Sequence, residues 1–123
     1  MSMGTLAIID DDRSFVEAVS LLLEDEGYCP LKALGGREGI ELLQANSVDL
    51  AIIDVHMPDV SGIDVVGAVR QQGREVPVIL ISSDDHPDVL SACESAGVEV
   101  FLPKPLDPEE LLGMIDHTLA LHR

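Results

Sequence analysis

Short apolar runs alternate with segments of helical periodicity along the whole chain. Five such runs predict strands, at Leu6–Ile9, Tyr28–Leu31, Leu50–Ile53, Val78–Ile81 and Val98–Leu102. The first, third and fourth runs are apolar throughout, which is typical of strands that are covered on both faces. Pro30 interrupts the second run, and a proline cannot donate to a strand ladder. We therefore expect the second strand at an edge of the sheet.

A helical segment follows each run. The first predicted helix has its apolar stripe at 15–23 and is closed by Gly27. The others cover Gly35–Gln44, the stretch from Gly62 to about Gln72, Pro87–Ala96 and Asp107–Leu121. The fourth predicted helix has few large apolar side chains, so we expect it to be mobile. The fifth begins with a clear signal, because Asp107 can cap the helix and Pro108 suits its first position. Glu110 lies where a capping box has its acceptor.

Strict alternation of strands and helices predicts an α/β fold with a parallel sheet and helices on both faces. The fold must have right-handed crossovers and must place the second strand at an edge of the sheet. A flavodoxin-like (βα)5 three-layer sandwich with strand order 2-1-3-4-5 meets both requirements. In that order the crevice lies beyond the C-terminal ends of the first and third strands. No repeat or linker interrupts the pattern, so we expect one domain over residues 1–123.

Composition narrows the class of protein. The chain has 123 residues, 46% of them apolar, and a formal net charge of −16, which argues against non-specific binding to nucleic acid. No apolar run approaches the roughly 18 residues of a membrane span, and no leader pattern opens the chain, so we expect a cytoplasmic protein. Cys29 and Cys93 lie far apart in apolar segments, which favours two buried free thiols over a disulfide.

Polar side chains directly follow four of the predicted strands. They are, in chain order, Asp10 and Asp11, Asp54, Ser82 and Ser83, and Lys104. Because the C-terminal ends of parallel strands meet at one edge of a sheet, we expect these side chains to lie together. Three carboxylates repel one another unless a cation neutralises them, and an all-oxygen set suits Mg²⁺. A phosphoryl group needs positive charge and a hydrogen bond to its oxygens, and an ammonium and a hydroxyl beside such a site can supply both.

Each of these residues, taken alone, also has an ordinary structural explanation. An Asp after a strand often caps the next helix, and we expect Asp12 to do so. Serines in a loop, or a lysine before a proline, are commonly solvated. Zinc is disfavoured because neither cysteine lies at this edge and His56 stands alone. The joint placement of the polar residues at successive strand ends is what indicates a functional site.

The ordered motifs resemble the receiver domain of bacterial two-component response regulators, over essentially the whole chain. The motifs are "IIDDD", "DLAIIDVHMPDVSG", "VPVILISS" and "FLPKPL". The resemblance implies that Asp54 is the phosphoacceptor for a histidine kinase or phosphotransfer protein. It implies that Asp11 binds Mg²⁺ directly and Asp10 mostly through water, with Asp54 and the backbone carbonyl of His56 as further ligands. Mn²⁺ can substitute for Mg²⁺ in such a site.

The resemblance also implies a switch. Ser82 takes the position of the switch hydroxyl, Phe101 that of the switch aromatic and Lys104 that of the family's lysine, with a cis peptide bond between Lys104 and Pro105. Phosphorylation would change the face formed by the fourth helix, fifth strand and fifth helix, which would contact a second copy or an output domain. Any output domain lies outside this chain. Neither nucleic acid nor membrane binding is implied, nor enzyme activity beyond self-phosphotransfer and autodephosphorylation.

Some positions depart from the commonest choices of the family. Ser82 stands where threonine is frequent, and Phe101 lacks the hydroxyl of the frequent tyrosine. His56 and Asp84 occupy positions that tune the phosphoryl lifetime in the family, and we expect the His56 ring to face solvent at the lip of the site.

Three other functions are weighed against this one. A docking module of the same fold that works without phosphorylation is the main alternative, although every mapped site position carries a competent residue. A phosphohydrolase with an aspartyl nucleophile would need a second aspartate where His56 stands. A flavin carrier is disfavoured because three acids after the first strand would repel a flavin phosphate.

Overall fold

A computed structural model describes residues 3–84, 86–98 and 100–122 of the chain. Its strands are β1 Thr5–Ile9, β2 Cys29–Ala33, β3 Leu50–Asp54, β4 Val78–Ser82 and β5 Val100–Pro103. Its helices are α1 Arg13–Asp25, α2 Gly36–Ala45, α3 Gly62–Gln71, α4 Pro87–Ser95 and α5 Pro108–Leu121. The five strands form one parallel sheet in the order β2-β1-β3-β4-β5, so the predicted fold class and strand order are confirmed.

Burial along the strands follows their place in the sheet. Every residue of β3 and β4 is buried, as is β1 from Leu6 onward, because helices cover both faces of these strands. In β2 only Ala33 is buried, as expected for an edge strand. Alternate side chains enter two separate cores. Ile9 and Ile53 belong to one core together with residues of α2 and α3, and Ile8 and Ile52 to the other with residues of α1 and α5.

The burial of one cysteine and the bounds of two strands differ from the predictions. The second strand covers Cys29–Ala33 rather than Tyr28–Leu31. Cys29 is exposed rather than buried, because it is the first residue of the edge strand β2, which has a partner on one side only. Cys93 is buried as expected, and burial raises the pKa of its thiol. The fifth strand begins at Val100 rather than Val98, and Glu99 lies outside the described residues.

The predicted helix starts are largely confirmed. Asp12 caps α1 by accepting a hydrogen bond from the backbone N–H of Phe15 at 3.2 Å. Asp107 caps α5 by accepting from the N–H of Glu109 at 3.1 Å. The return bond of a capping box from Glu110 is missing among the described hydrogen bonds, so that part of the prediction is wrong. In the described part of the chain, no helix is both long and apolar enough to cross a membrane.

The fourth helix is the least firmly packed of the five. Of the nine residues of α4, Cys93 is the one that is buried. Low burial is typical of segments that open at little cost in free energy. The mobility of α4 stays a prediction. The ends of the predicted domain, residues 1–2 and 123, lie outside the described residues.

Candidate phosphoacceptor and metal site

Strand register places the predicted site residues at one edge of the sheet. Ile9 pairs with Ile53, so Asp10, directly after β1, and Asp54, the last residue of β3, lie at the same level. Asp54 pairs with Ile81, which puts Ser82 one residue further along β4. Ser82 in turn pairs with Pro103, and Lys104 comes next. The register alone therefore gathers residues that are up to 94 positions apart in the chain.

A part-buried ion pair lies at the centre of this edge. The Nζ atom of Lys104 lies 2.7 Å from Oδ2 of Asp10 and 3.8 Å from Oδ1 of Asp54. The other oxygen of Asp10 accepts a hydrogen bond from the backbone N–H of Asp12 at 2.9 Å. The ring of Phe15 lies beneath the ammonium, with its centroid 4.4 Å from Nζ, so a cation–π contact adds to the pair. Both oxygens of Asp10 are thus engaged by the protein itself.

Three carboxylates converge beside that ion pair. One oxygen each from Asp10, Asp11 and Asp54 lie within 4.8 Å of one another. Asp10 and Asp54 are buried, whereas Asp11 is exposed. Burial, together with the negative charge of Asp10, raises the pKa of Asp54 to about 6, although Lys104 acts in the opposite direction. One ammonium does not compensate three carboxylates, so the site retains an excess of negative charge.

This donor set fits a hard divalent cation. All three side chains offer oxygen, the ligand atom that Mg²⁺ prefers, and the exposed side of Asp11 leaves room for the waters that Mg²⁺ retains. Neither cysteine belongs to the cluster, in line with the argument against zinc. The acidic cluster can therefore hold a metal ion.

Two loops form the rim of the site. His56, from the β3–α3 loop, and Asp84, from the β4–α4 loop, are joined by a contact of 3.1 Å between Nε2 and Oδ2. The His56 side chain is 57% exposed, so its ring faces solvent as expected. The backbone N–H of His86 is the main cause that lowers the pKa of Asp84. Ser82 is buried, and its hydroxyl accepts a hydrogen bond from the N–H of Asp84 at 3.0 Å, whereas Ser83 is exposed.

Two further expectations concern β5 and the loop after it. The Lys104–Pro105 peptide bond is cis, as the resemblance implied. Phe101 is partly buried and packs against the core that β3 and β4 share with α3 and α4. Its position one residue before Leu102, which points into the opposite core, places it on the α4 side of the sheet.

The β3–α3 loop contains a residue that the sequence analysis missed. Asp59 accepts hydrogen bonds from the backbone N–H groups of Gly36 and Arg37, at 3.0 Å each. These bonds, that of Arg37 first, lower the pKa of Asp59 to about 2. The neighbouring motif carried no signal of this role, because the partners of Asp59 lie at the start of α2, more than 20 positions earlier.

Comparison with known proteins decides the family. The profile of the response regulator receiver domain matches residues 6–116. The chain belongs to the response regulator receiver domain family.

Relatives of this receiver domain include regulators and a chemotaxis protein. It is 32% identical over 111 residues to the transcriptional regulatory protein DltR of Streptococcus agalactiae, covering 89% of this chain and 49% of DltR. It is 30% identical over 118 residues to the response regulator SaeR of Staphylococcus aureus, covering 96% of this chain and 51% of SaeR. The chain thus spans about half the length of these two relatives.

Among solved structures, the receiver domain is similar to the chemotaxis protein CheY4 of Vibrio cholerae. The TM-score is 0.89 at 31% sequence identity, and the match covers 95% of this chain and 99% of CheY4. The structure brings together Asp10, Asp11, Asp54 and Lys104, as the sequence predicted, and places Ser82 beside them. The individual roles of these residues stay predictions.

Proposed function

We propose that this receiver domain takes a phosphoryl group onto Asp54 from a histidine kinase or phosphotransfer protein, and that the phosphoryl group changes a partner surface. The observation that carries the proposal is the buried Asp54 carboxylate, with a pKa near 6, between two acids and a lysine. With that pKa, Asp54 is mostly ionised at neutral pH and is available as a nucleophile. We propose no enzyme activity beyond self-phosphotransfer and the hydrolysis that follows.

In the proposed reaction, an oxygen of Asp54 forms a bond to phosphorus. The bond between phosphorus and the donor's imidazole nitrogen breaks, and its electron pair stays on that nitrogen, which then takes a proton from solvent. The product is an acyl phosphate, which water can later hydrolyse to restore the carboxylate. Asp54 is held in place for this by the register of β3 between β1 and β4.

Charge compensation in this reaction falls to two side chains and a cation. Lys104, 3.8 Å from Asp54, can neutralise the oxygens of the incoming group, and the Ser82 hydroxyl can donate to one of them. Asp10, Asp11, Asp54 and the His56 carbonyl would hold Mg²⁺, or Mn²⁺ in its place. The cation supplies positive charge that offsets the charge developing on the phosphoryl oxygens.

A groove beside the site supports a protein as the phosphodonor. It has a volume of about 750 Å³ and opens next to Lys104, between α1 and the first turn of α5. Apolar side chains line most of it, among them Phe15, Leu22 and Leu106. A groove of this kind accommodates the apolar face of a partner helix.

The structure around Ser82 and Phe101 supports a switch. The Ser82 hydroxyl now accepts from Asp84, so turning it toward a phosphoryl group breaks a hydrogen bond of the β4–α4 loop. Phe101 is only partly buried and can move into the space that Ser82 leaves. Because α4 is weakly packed, the face of α4, β5 and α5 can repack at low cost in free energy. A second copy or an output domain would read this change.

Phosphorylation is tested with a small phosphodonor, acetyl phosphate, and Mg²⁺. We expect intact-mass measurement to show one added phosphoryl group on the wild type and none on Asp54→Asn. Asp49→Asn is the matched control, since Asp49 is an exposed acid that accepts from Thr5 at the opposite end of the sheet. A full yield in Asp54→Asn would refute the assignment, and no transfer to the wild type would favour the docking module.

The switch is tested with beryllofluoride, a phosphoryl mimic, together with Mg²⁺. We expect amide chemical shifts to change across residues 82–112, and Phe101→Ala to retain phosphorylation while reducing the distant changes. Shifts confined to the residues that contact Asp54 would contradict the switch and leave the phosphoacceptor assignment standing. Sedimentation of the two forms would reveal whether a symmetric dimer forms on that face.

A further inference from the structure

The tip of the β3–α3 loop rests on the first turn of α2 through one carboxylate. Asp59, at the tip, follows Asp54 by five positions. Its Oδ1 accepts from the N–H of Gly36 and its Oδ2 from the N–H of Arg37, both at 3.0 Å. The side chain therefore links the loop that follows the proposed phosphoacceptor to the start of α2, which packs beside α3.

Helix α2 depends on this carboxylate because it lacks a cap of its own. Gly35 is its N-cap residue and offers no side-chain acceptor. The first N–H groups of a helix need acceptors from elsewhere, and a negative charge there also interacts favourably with the helix dipole. Asp59 meets both requirements, and with a pKa near 2 it is ionised at any physiological pH.

The helix offers the loop a rigid support. A Cβ atom on Gly36 would lie 2.5 Å from the carbonyl oxygen of Val60, so the loop packs directly on the helix backbone. A Cβ atom on Gly39 would lie 2.6 Å from Cγ2 of Ile9, so the helix packs equally closely on β1. Since β1 leads into Asp10, the support for the loop and the acidic pair belong to one packed unit.

The base of the loop is held by backbone bonds, whereas its tip depends on side chains. Val55 donates to the carbonyl of Ile81 and accepts from Gly62, both at 2.9 Å. The backbone N–H of His56 interacts with the Asp54 carboxylate inside the site. Beyond the site, the side-chain bonds described for residues 56–60 are those of Asp59 and the exposed pair between His56 and Asp84. Asp59 is exposed as well, but it accepts two hydrogen bonds from backbone N–H groups, one of them part-buried, whereas the His56–Asp84 pair is a single exposed contact. Exposed ion pairs contribute little, so Asp59 provides the firmer attachment.

We propose that Asp59 is a positioning residue for the metal and phosphoryl site. By fastening the loop tip to α2, it sets the place of the His56 backbone carbonyl relative to Asp54 and Asp11. The inference rests on the proposed function, because the position of that carbonyl matters for binding only if it shares a cation with the carboxylates. Groups that orient a metal ligand in this way commonly change the metal affinity by about 10- to 100-fold.

The test is calorimetric titration of the metal-free protein with Mg²⁺. We expect Asp59→Ala to weaken Mg²⁺ binding by about tenfold, and Asp59→Asn, which retains one acceptor oxygen, to weaken it less. Both variants remove the same charge, so the difference between them reports the hydrogen bonds rather than the electrostatic field. Glu38→Ala is the matched control, because Glu38 accepts from the N–H of Leu34 at 3.1 Å beside the same helix start. It also removes one charge, and we expect its affinity to stay within about twofold of the wild type.

A second measurement separates positioning from loss of structure. At saturating Mg²⁺, the rate of phosphorylation by acetyl phosphate should recover in Asp59→Ala, since the carboxylate takes no part in the transfer itself. If Asp59→Ala does not fold, Asp59→Asn is compared with Glu38→Gln, and the former should bind Mg²⁺ more weakly.

Three results would overturn the inference, and they differ in what else they affect. Wild-type affinity in the Asp59 variants, or equal losses in the Asp59 and Glu38 variants, would refute positioning and leave the proposed function intact. A wild-type protein that neither binds Mg²⁺ nor accepts a phosphoryl group would refute both.

Discussion

Replacing Asp54 with Asn should stabilise the metal-free protein at neutral pH. Asp54 is 6% exposed, and burial together with the charge of Asp10 raises its pKa from 3.8 to about 6. Above pH 6 the folded protein must therefore keep this carboxylate ionised where the charge is disfavoured, whereas the unfolded chain keeps it in water. Asn has nearly the same shape and carries no charge, so it removes the conflict.

The size of the effect follows from the two pKa values. The difference between about 6 and 3.8 is about 2, and each pKa unit corresponds to about 1.4 kcal/mol, so the free energy of unfolding should rise by about 3 kcal/mol. The gain should be complete above the folded pKa. It should shrink as the pH falls from about 6 toward 3.8, because the wild-type carboxylate is then protonated in the folded state and later in the unfolded state.

This gain is measured by urea unfolding in EDTA. The signal is far-UV circular dichroism, because the chain has no tryptophan. Asp59→Asn is a control of opposite sign. The folded pKa of Asp59 is lowered to about 2, so its ionised form stabilises the fold above pH 3.8. That stability is lost as the pH falls through the folded pKa, and the variant should be less stable than the wild type at neutral pH. An Asp54→Asn protein that is no more stable at about pH 7.5, or whose gain does not change with pH, would refute the reasoning.

Two further predictions concern the metal and the far end of the sheet. Mg²⁺ at ten times its dissociation constant should stabilise the wild type by about 1.4 kcal/mol, measured from the thermal midpoint. Asp11→Ala should abolish this gain and raise the stability of the metal-free protein. Thermal midpoints that do not change with Mg²⁺ in either protein would contradict the metal site. Arg74→Ala should lower the free energy of unfolding by about 2 kcal/mol. The reason is that the Arg74 guanidinium donates to three carbonyl oxygens at the end of α2, at 2.7, 2.9 and 2.9 Å. The control is Arg37→Ala, because Arg37 is an exposed residue of α2. Both variants are measured by chemical denaturation, and equal losses of unfolding free energy would show that the carbonyl contacts of Arg74 contribute nothing.

Local patterns in the sequence were enough to predict the fold class, the order of elements and the main members of the site. Fully buried strands such as Leu50–Ile53 reveal themselves as unbroken apolar runs, because a strand covered on both faces has no place for a polar side chain. Pro30 marked the edge strand for an equally local reason. Once parallel order was inferred, Asp10, Asp54 and Lys104 had to share one edge, since each directly follows a strand.

Which atoms come into contact depends on how the strands, helices and loops pack together. The acidic cluster was predictable, but the choice of Asp10 as the ion-pair partner of Lys104 depends on the register of four strands. The exposure of Cys29 depends on which side of the edge strand lacks a partner. Asp59 and Arg74 bind backbone groups of α2 that are 22 to 31 positions away, and a backbone amide or carbonyl carries no mark in the sequence. Such partners are set by how closely the helix and the loops approach one another, which is a property of the packed fold.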